Sequence, residues 1–596
     1  MTILSKRDFL QYAGATAATI SVGGCALFRR PLDGRCFGGP DITNPRAHLA
    51  IDVHVHVFNA TDLPVAAYLE RVLGRDPKFK RAVQALSPII ERIGWWVAPS
   101  AGDELRRLNL AESTIRACRA DESVRQIPSD KLTAQIANDR QEAYRKGRQE
   151  VVNALYAAPE YGDAIRRYRQ RGKSNSSERD AVASVILQLP ESVEEYRSSL
   201  KRPLISRREI GVRGAITFIM QCFQYRYVNV FDYLDGFARN ADRSIDLMVC
   251  HMVDFDWPIA DGRATLTPLK AQQDVMARIS ILAGGRVHCY AAYDPFRQVA
   301  HDLGLYQGES PLDLVRDAVE RRGCIGVKLY PPMGFAPLGN GSIKPQFWER
   351  RWLPAGLKVA DLGTRLDKSL IELYRWCVAE DVPIMAHTSV SLGPTDEFEW
   401  LATAQYWENV FNWQNTSDQK EFEGLRVNFG HFGDTDVVDG GPLERAEAYM
   451  KLMKEGDRPG HNAFADSAFF AEALSDPMAV RRRLKALLST RASGENAPLA
   501  DRLMYGSDWE MLTYLEDPYF EYLNKFVEIF DDLNSNSDIS KGGRLADNFF
   551  GENAARYMGL RRGEPARRRL DKFYSNNRVS TPLWIHKLDG VVVASQ

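Results

Sequence analysis

The chain has 596 residues, 44% of them hydrophobic and 26% charged, with a formal net charge of −1. That balance supplies apolar material for a large core. It excludes the strongly basic footprint that nucleic acid or an anionic membrane surface would require. Beyond the N-terminal segment no apolar run is long enough to span a bilayer, and no internal repeat or low-complexity tract is visible.

In chain order, the first segment stands apart. "MTILSKRDFLQYAGATAATISVGGCALFRR" places Lys6 and Arg7 before a weakly apolar stretch and ends it at Cys25, the order of a charged region, an apolar region and a processing site. "SKRDFL" resembles a twin-arginine export signal with Lys6 in the first arginine position, and "VGGC" resembles a lipobox. Residues 1–25 are therefore expected to be an export signal and 26–45 a linker. The protein is expected in the bacterial cell envelope, on the periplasmic side, touching the membrane only through a lipid anchor at Cys25; an unprocessed N-terminus would leave it cytoplasmic. Seven other cysteines lack framework spacing. Cys222, Cys250, Cys289, Cys324 and Cys377 sit in or beside apolar runs and read as small buried hydrophobes.

The first strand is "HLAIDVHVHVFN". Side chains alternate on a strand, so Asp52, His54 and His56 share one face while Ile51, Val53, Val55 and Val57 take the other. Two adjacent imidazoles on one face suggest a metal, because imidazole is the commonest protein metal ligand, although hydrogen bonds could also satisfy them. From about Asp62 to Arg207 the pattern turns charged and helical, as in "TAQIANDRQEAYRKGRQEVVNALYAA", with a break at "RGKSNSSERD". Residues 62–207 read as a helical insertion after strand 1, a candidate lid or oligomer interface.

Beyond it, helical stretches alternate with short apolar runs at 245–253, 286–293, 324–330, 382–390, 426–433, 462–469 and 502–508. With the strand at 49–57 these make eight, which predicts an α/β fold, a (β/α)8 TIM barrel over 46–560, followed by a C-terminal tail at 561–596. An open doubly wound sheet is the alternative, but no glycine-rich phosphate loop follows any strand. Chemistry in such barrels gathers at the C-terminal strand ends. His54 and His56 end strand one, His251 strand two, Lys328 strand four, His387 strand five, His431 strand six and Asp508 strand eight. That sorting of five of the ten histidines makes His54 and His56 part of an expected metal site.

The series "DVHVH", "GVKLYPP", "MAHTS", "FGHFG", "YGSDW" and "ENAARYMGL" resembles the amidohydrolase superfamily, most closely its amidohydrolase-2 branch, which includes enzymes like aminocarboxymuconate-semialdehyde decarboxylase and related lactone hydrolases. The resemblance implies that His54, His56, His387 and Asp508 bind a divalent metal, one zinc per chain. His431 would be a second catalytic group, and Asn553, Ala554 and Arg556 would belong to a structural helix closing the barrel. Two-metal members carry a carboxylated lysine bridging the ions, with His387 and His431 on the second; Lys328 matches that lysine and leaves this alternative open. Asp508 could instead cap a helix, and His431 could be a core histidine.

Three imidazoles and a carboxylate independently suit zinc or another borderline ion. Asp508 could take a proton from the activated water, and His431 could serve a developing oxyanion or share the base role. Arg297, Asp294, His251 and Tyr330 are further candidates for substrate contact, Arg297 as a clamp on a carboxylate. Trp95, Trp96 and Trp509 are candidates to roof the site. The expected activity is a metal-dependent hydrolase on a small-molecule ester, lactone or amide, with a metal-dependent decarboxylase on the same ligands as the alternative and a non-catalytic envelope binding protein as the third reading.

Overall fold

The computed structural model describes Leu32, Phe37 and residues 48–590, apart from 76–79, 118–129, 173–176, 201–206, 239, 241–242, 350–351, 434–443, 491–493, 516–518, 536–538 and 540–541. The N-terminal signal, Cys25 and most of the linker lie outside these residues. Eight parallel strands run in the order of the chain: β1 (Ile51–Val55), β2 (Leu247–His251), β3 (Val287–Ala292), β4 (Cys324–Leu329), β5 (Ile384–His387), β6 (Val427–Gly430), β7 (Ala463–Asp466) and β8 (Leu503–Met504). Each expected run contains one of them.

β8 closes on β1 through the chain that follows it. Val53 N–H donates to the Tyr505 carbonyl (3.1 Å), Asp508 N–H to the His54 carbonyl (2.7 Å) and His56 N–H to the Trp509 carbonyl (3.1 Å). The result is the (β/α)8 barrel that the sequence predicts. Its strands are buried on both faces, because helices cover the outside and side chains fill the inside. Packing inside is tight enough to dictate residue size. A Cβ on Gly430 would lie 2.3 Å from Met385 Cε and 3.2 Å from the His54 ring, so only glycine leaves room for that histidine.

Between β1 and β2 the described residues form a series of helices, the first starting at Val65 and the last ending at Phe237, beyond the 62–207 read from the sequence; one of them ends at Arg171 and the next begins at Glu178, on either side of the expected loop. These helices form a second hydrophobic cluster that also takes in Phe58, Val253, Phe255, Met333 and Met511, residues that follow the barrel strands. The insertion therefore sits over the C-terminal strand ends. At the other end, Asn553 Nδ2 donates to the carbonyls of Ala500 (3.1 Å) and Leu503 (2.8 Å), which holds the entry to β8 as the expected structural helix should. The tail docks near the starts of β2 and β3: Trp584 donates to the Gly285 carbonyl, and Lys587 pairs with Asp246 at 2.7 Å. Cys222, Cys250, Cys289, Cys324 and Cys377 are buried free thiols, and no described helix is long and apolar enough to cross a membrane.

Candidate metal centre

His54, His56, His251, His387, His431, Lys328 and Asp508 are all buried at the C-terminal strand ends. The hydrogen bonds around the imidazoles assign their tautomers. His54 Nδ1 lies 3.1 Å from Asp466 Oδ2, and His56 Nδ1 lies 3.0 Å from the His251 carbonyl. Both partners only accept, so each Nδ1 carries the proton and each Nε2 is a bare lone pair. His431 Nδ1 donates to the Ala468 carbonyl (3.0 Å), which leaves its Nε2 to accept from His387 Nδ1 at 3.1 Å. His387 Nε2 is then bare as well.

These lone pairs face another acceptor. His56 Nε2 is 3.4 Å and His54 Nε2 3.6 Å from Asp508 Oδ1. His54 Nε2, His387 Nε2 and Asp508 Oδ1 are buried without a hydrogen-bond partner. His54 Nε2, His56 Nε2 and an ionised Asp508 Oδ1 face one another without a donor, which is costly unless a cation joins them, so the residues present fit a divalent ion. His54, His56 and His251 each offer a nitrogen, all within 4.8 Å of one another. The structure thus moves His251 from the substrate candidates to the ligand candidates, while His387 stands one ring away, reached through His431.

Burial holds the histidines neutral. It lowers His54 and His56 well below the ordinary imidazole value, with the Lys328 ammonium adding to the effect, and lowers His431 to about 3. The same burial pushes Asp508 up to about 8 and Lys328 down to about 7. Lys328 Nζ donates to the weak acceptor Met385 Sδ (2.8 Å) and makes no ion pair with Asp508 among the described contacts. Asp508 and His431 both adopt left-handed backbone (φ 57° and 63°), a strained conformation for residues with a Cβ and one that functional sites often retain.

Asp466, at the end of β7, was not among the expected residues. Its carboxylate accepts four hydrogen bonds, from His54 Nδ1, Asn428 Nδ2 (2.7 Å) and the backbone N–H groups of His431 and Ala468 (both 3.0 Å). It orients the His54 ring and holds the backbone that carries His431. An aspartate closing "NAFAD" was the available signal. Asp52, on the histidine face of β1, accepts instead from Tyr233, Ser507 N–H and His54 N–H.

Two expected substrate residues have other work. Asp294 caps a helix by accepting from Phe296 and Arg297 N–H. Arg297 is taken up by Asp254 (2.5 and 2.6 Å) and Asp256 (2.7 Å), so its fork is not available as a carboxylate clamp. Arg297→Ala should therefore leave KM nearly unchanged and lower stability by about 3–5 kcal/mol, the cost of stranding buried charges, read as a lowered Tm.

Tyr330 does reach the site, stacking on His387 with centroids 4.3 Å apart. The roof is made by Phe58, Tyr68, Phe255 and Tyr330 rather than by the expected tryptophans: Trp96 is exposed, Trp95 stacks on Phe223, and Trp509 packs on Tyr233. Beneath the roof the cavity is about 10 Å³, room for about one water.

No family model and no curated protein matches the chain. Solved structures do. The chain is similar to the 5-carboxyvanillate decarboxylase LigW of Sphingomonas paucimobilis (11% identity, 61% of this chain and 94% of that one, TM-score 0.31). It is also similar to a zinc-bound amidohydrolase of Burkholderia multivorans (14%, 53% and 83%, TM-score 0.26) and to a 2,6-dihydroxybenzoate decarboxylase (14%, 53% and 84%, TM-score 0.29). The barrel itself stands on the strand order and closure given above.

Proposed function

We propose that the protein is a metal-dependent hydrolase acting on an uncharged ester, lactone or amide. The observation that carries this reading is the convergence of bare histidine Nε2 atoms and Asp508 Oδ1 on one buried point. A bound divalent ion would acidify a water and polarise a carbonyl there. His54, His56 and Asp508 would hold it, with His251 or His387 completing the set. Asp508, strained and aimed at the Nε2 atoms, is placed to take the proton of the attacking water and return it to the leaving group. His431, with Nδ1 anchored on Ala468 and Nε2 accepting from His387 Nδ1, positions the His387 ring so that its Nε2 stays bare. The roof keeps bulk water out.

The pairing of Arg297 favours hydrolysis over decarboxylation: held by Asp254 and Asp256, its fork is not available to clamp a substrate carboxylate. The metal-loaded protein should cleave members of a neutral ester, lactone and amide panel and release no carbon dioxide from aromatic or muconate-like acids; the reverse result would assign the lyase. Export and lipidation at Cys25 belong to the same proposal, on the strength of Lys6, Arg7 and "VGGC".

Metal uptake should depend on pH in one direction. The imidazoles are already neutral, so Asp508 is the ligand that must lose a proton. Affinity should rise about tenfold per pH unit up to about pH 8 and level off above it. Lys328, held near 7, steepens this by repelling the ion while charged, and Lys328→Met should reduce the slope to one proton. Titration of the apoprotein with zinc across that range checks it.

A further inference from the structure

A second cavity, of about 320 Å³, lies between the insertion helices and the segment after β8 that carries Trp509. None of the candidate metal ligands lines it. The separation is one residue: the Trp509 carbonyl holds His56 N–H, while its indole forms part of the cavity wall. The insertion helices supply most of the other walls. The volume falls at the lower end of small-molecule pockets, about 300–1,000 Å³.

Two features of the lining point to a ligand. Arg140 and Arg197 both pair with Asp232, at 2.5 and 3.4 Å, so two guanidiniums share one carboxylate and the wall keeps an excess positive charge. In addition, Arg140 Nε, Gln221 Oε1, Gln224 Oε1 and Trp509 Nε1 are buried without a hydrogen-bond partner. Arg140, Gln224 and Trp509 are only 9%, 7% and 3% exposed. These atoms belong to residues that line the cavity, and buried polar atoms without a partner are rare in a finished core. The remaining lining is largely aromatic, with Tyr196, Phe237, Trp509 and Tyr519 among it.

We propose that this cavity binds an aromatic monocarboxylate, its carboxylate on the arginine pair and its ring among those four side chains. Guanidinium forks suit a carboxylate, and aromatic walls suit a flat apolar body. The site is separate from the metal centre and does not depend on the reaction assigned to it.

Calorimetric titration of the full chain with benzoate tests the proposal. One benzoate should bind per chain, equally well in the wild type and in His54→Ala. Arg197→Ala, and substitution of benzamide for benzoate, should each weaken binding by about tenfold or more. Gly236 lines the cavity and an added Cβ there would meet nothing within 4 Å, so Gly236→Trp is expected to weaken binding by about tenfold or more while the Tm holds. Absence of benzoate binding would overturn the proposal. So would binding that disappears in His54→Ala and ignores Gly236→Trp, which would put benzoate on the metal centre, or equal affinity for benzamide.

Discussion

His54→Ala should leave the purified protein without its metal. His54 offers a bare Nε2 whose orientation is fixed from behind by Asp466, and the His251 and His431 rings pack against its own at centroid distances of 4.4 and 4.7 Å. The loss should exceed the roughly 10–100-fold that removal of an outer partner costs. Elemental analysis after dialysis is the readout: about one ion per chain in the wild type and a background amount in the variant, with unchanged circular dichroism. Lys328→Ala run beside it separates the two metal counts. One ion retained without the lysine fits a single-metal centre. Two ions that fall when the lysine is removed would mean a bridging carboxylated lysine.

Asp466→Asn is the second large effect. All four groups that Asp466 accepts from are donors, so the site demands an acceptor on both oxygens. An amide would turn an N–H toward one pair of donors and leave it unsatisfied, at about 1–3 kcal/mol per stranded group. It would also remove the negative partner of the His54 imidazole. Metal affinity should fall by about 10–100-fold, read by competition with a chelator, while Asp294→Asn, at a helix cap away from the metal ligands, should leave it unchanged. Equal affinity in wild type and Asp466→Asn would mean that His54 does not ligate through Nε2.

The barrel was legible because each strand is a short apolar run between helical stretches, and the strand-end histidines were legible because only alternation places His54 and His56 on one face. What the sequence withheld is contact between distant elements. Arg297 looked free because Asp254 and Asp256 belong to the loop after the neighbouring strand, and nothing local says that they reach across. Asp466 closes a strand like any N-capping aspartate, and its four partners come from three other places in the chain. The left-handed backbone at His431 and Asp508 has no signature, since residues with a Cβ normally avoid it. The insertion runs on to Phe237 because "ITFIMQCFQYRYVNVF", which covers the end of one buried helix and the start of the next, is apolar on most sides, and such a run has no clear period.

The most direct test is a crystal structure of the zinc-soaked protein with anomalous data collected at the zinc edge. One peak is expected, at about 2.0–2.2 Å from His54 Nε2, His56 Nε2 and an Asp508 oxygen. A peak bound through Nδ1 atoms, or no peak among these residues, would contradict the metal centre described here.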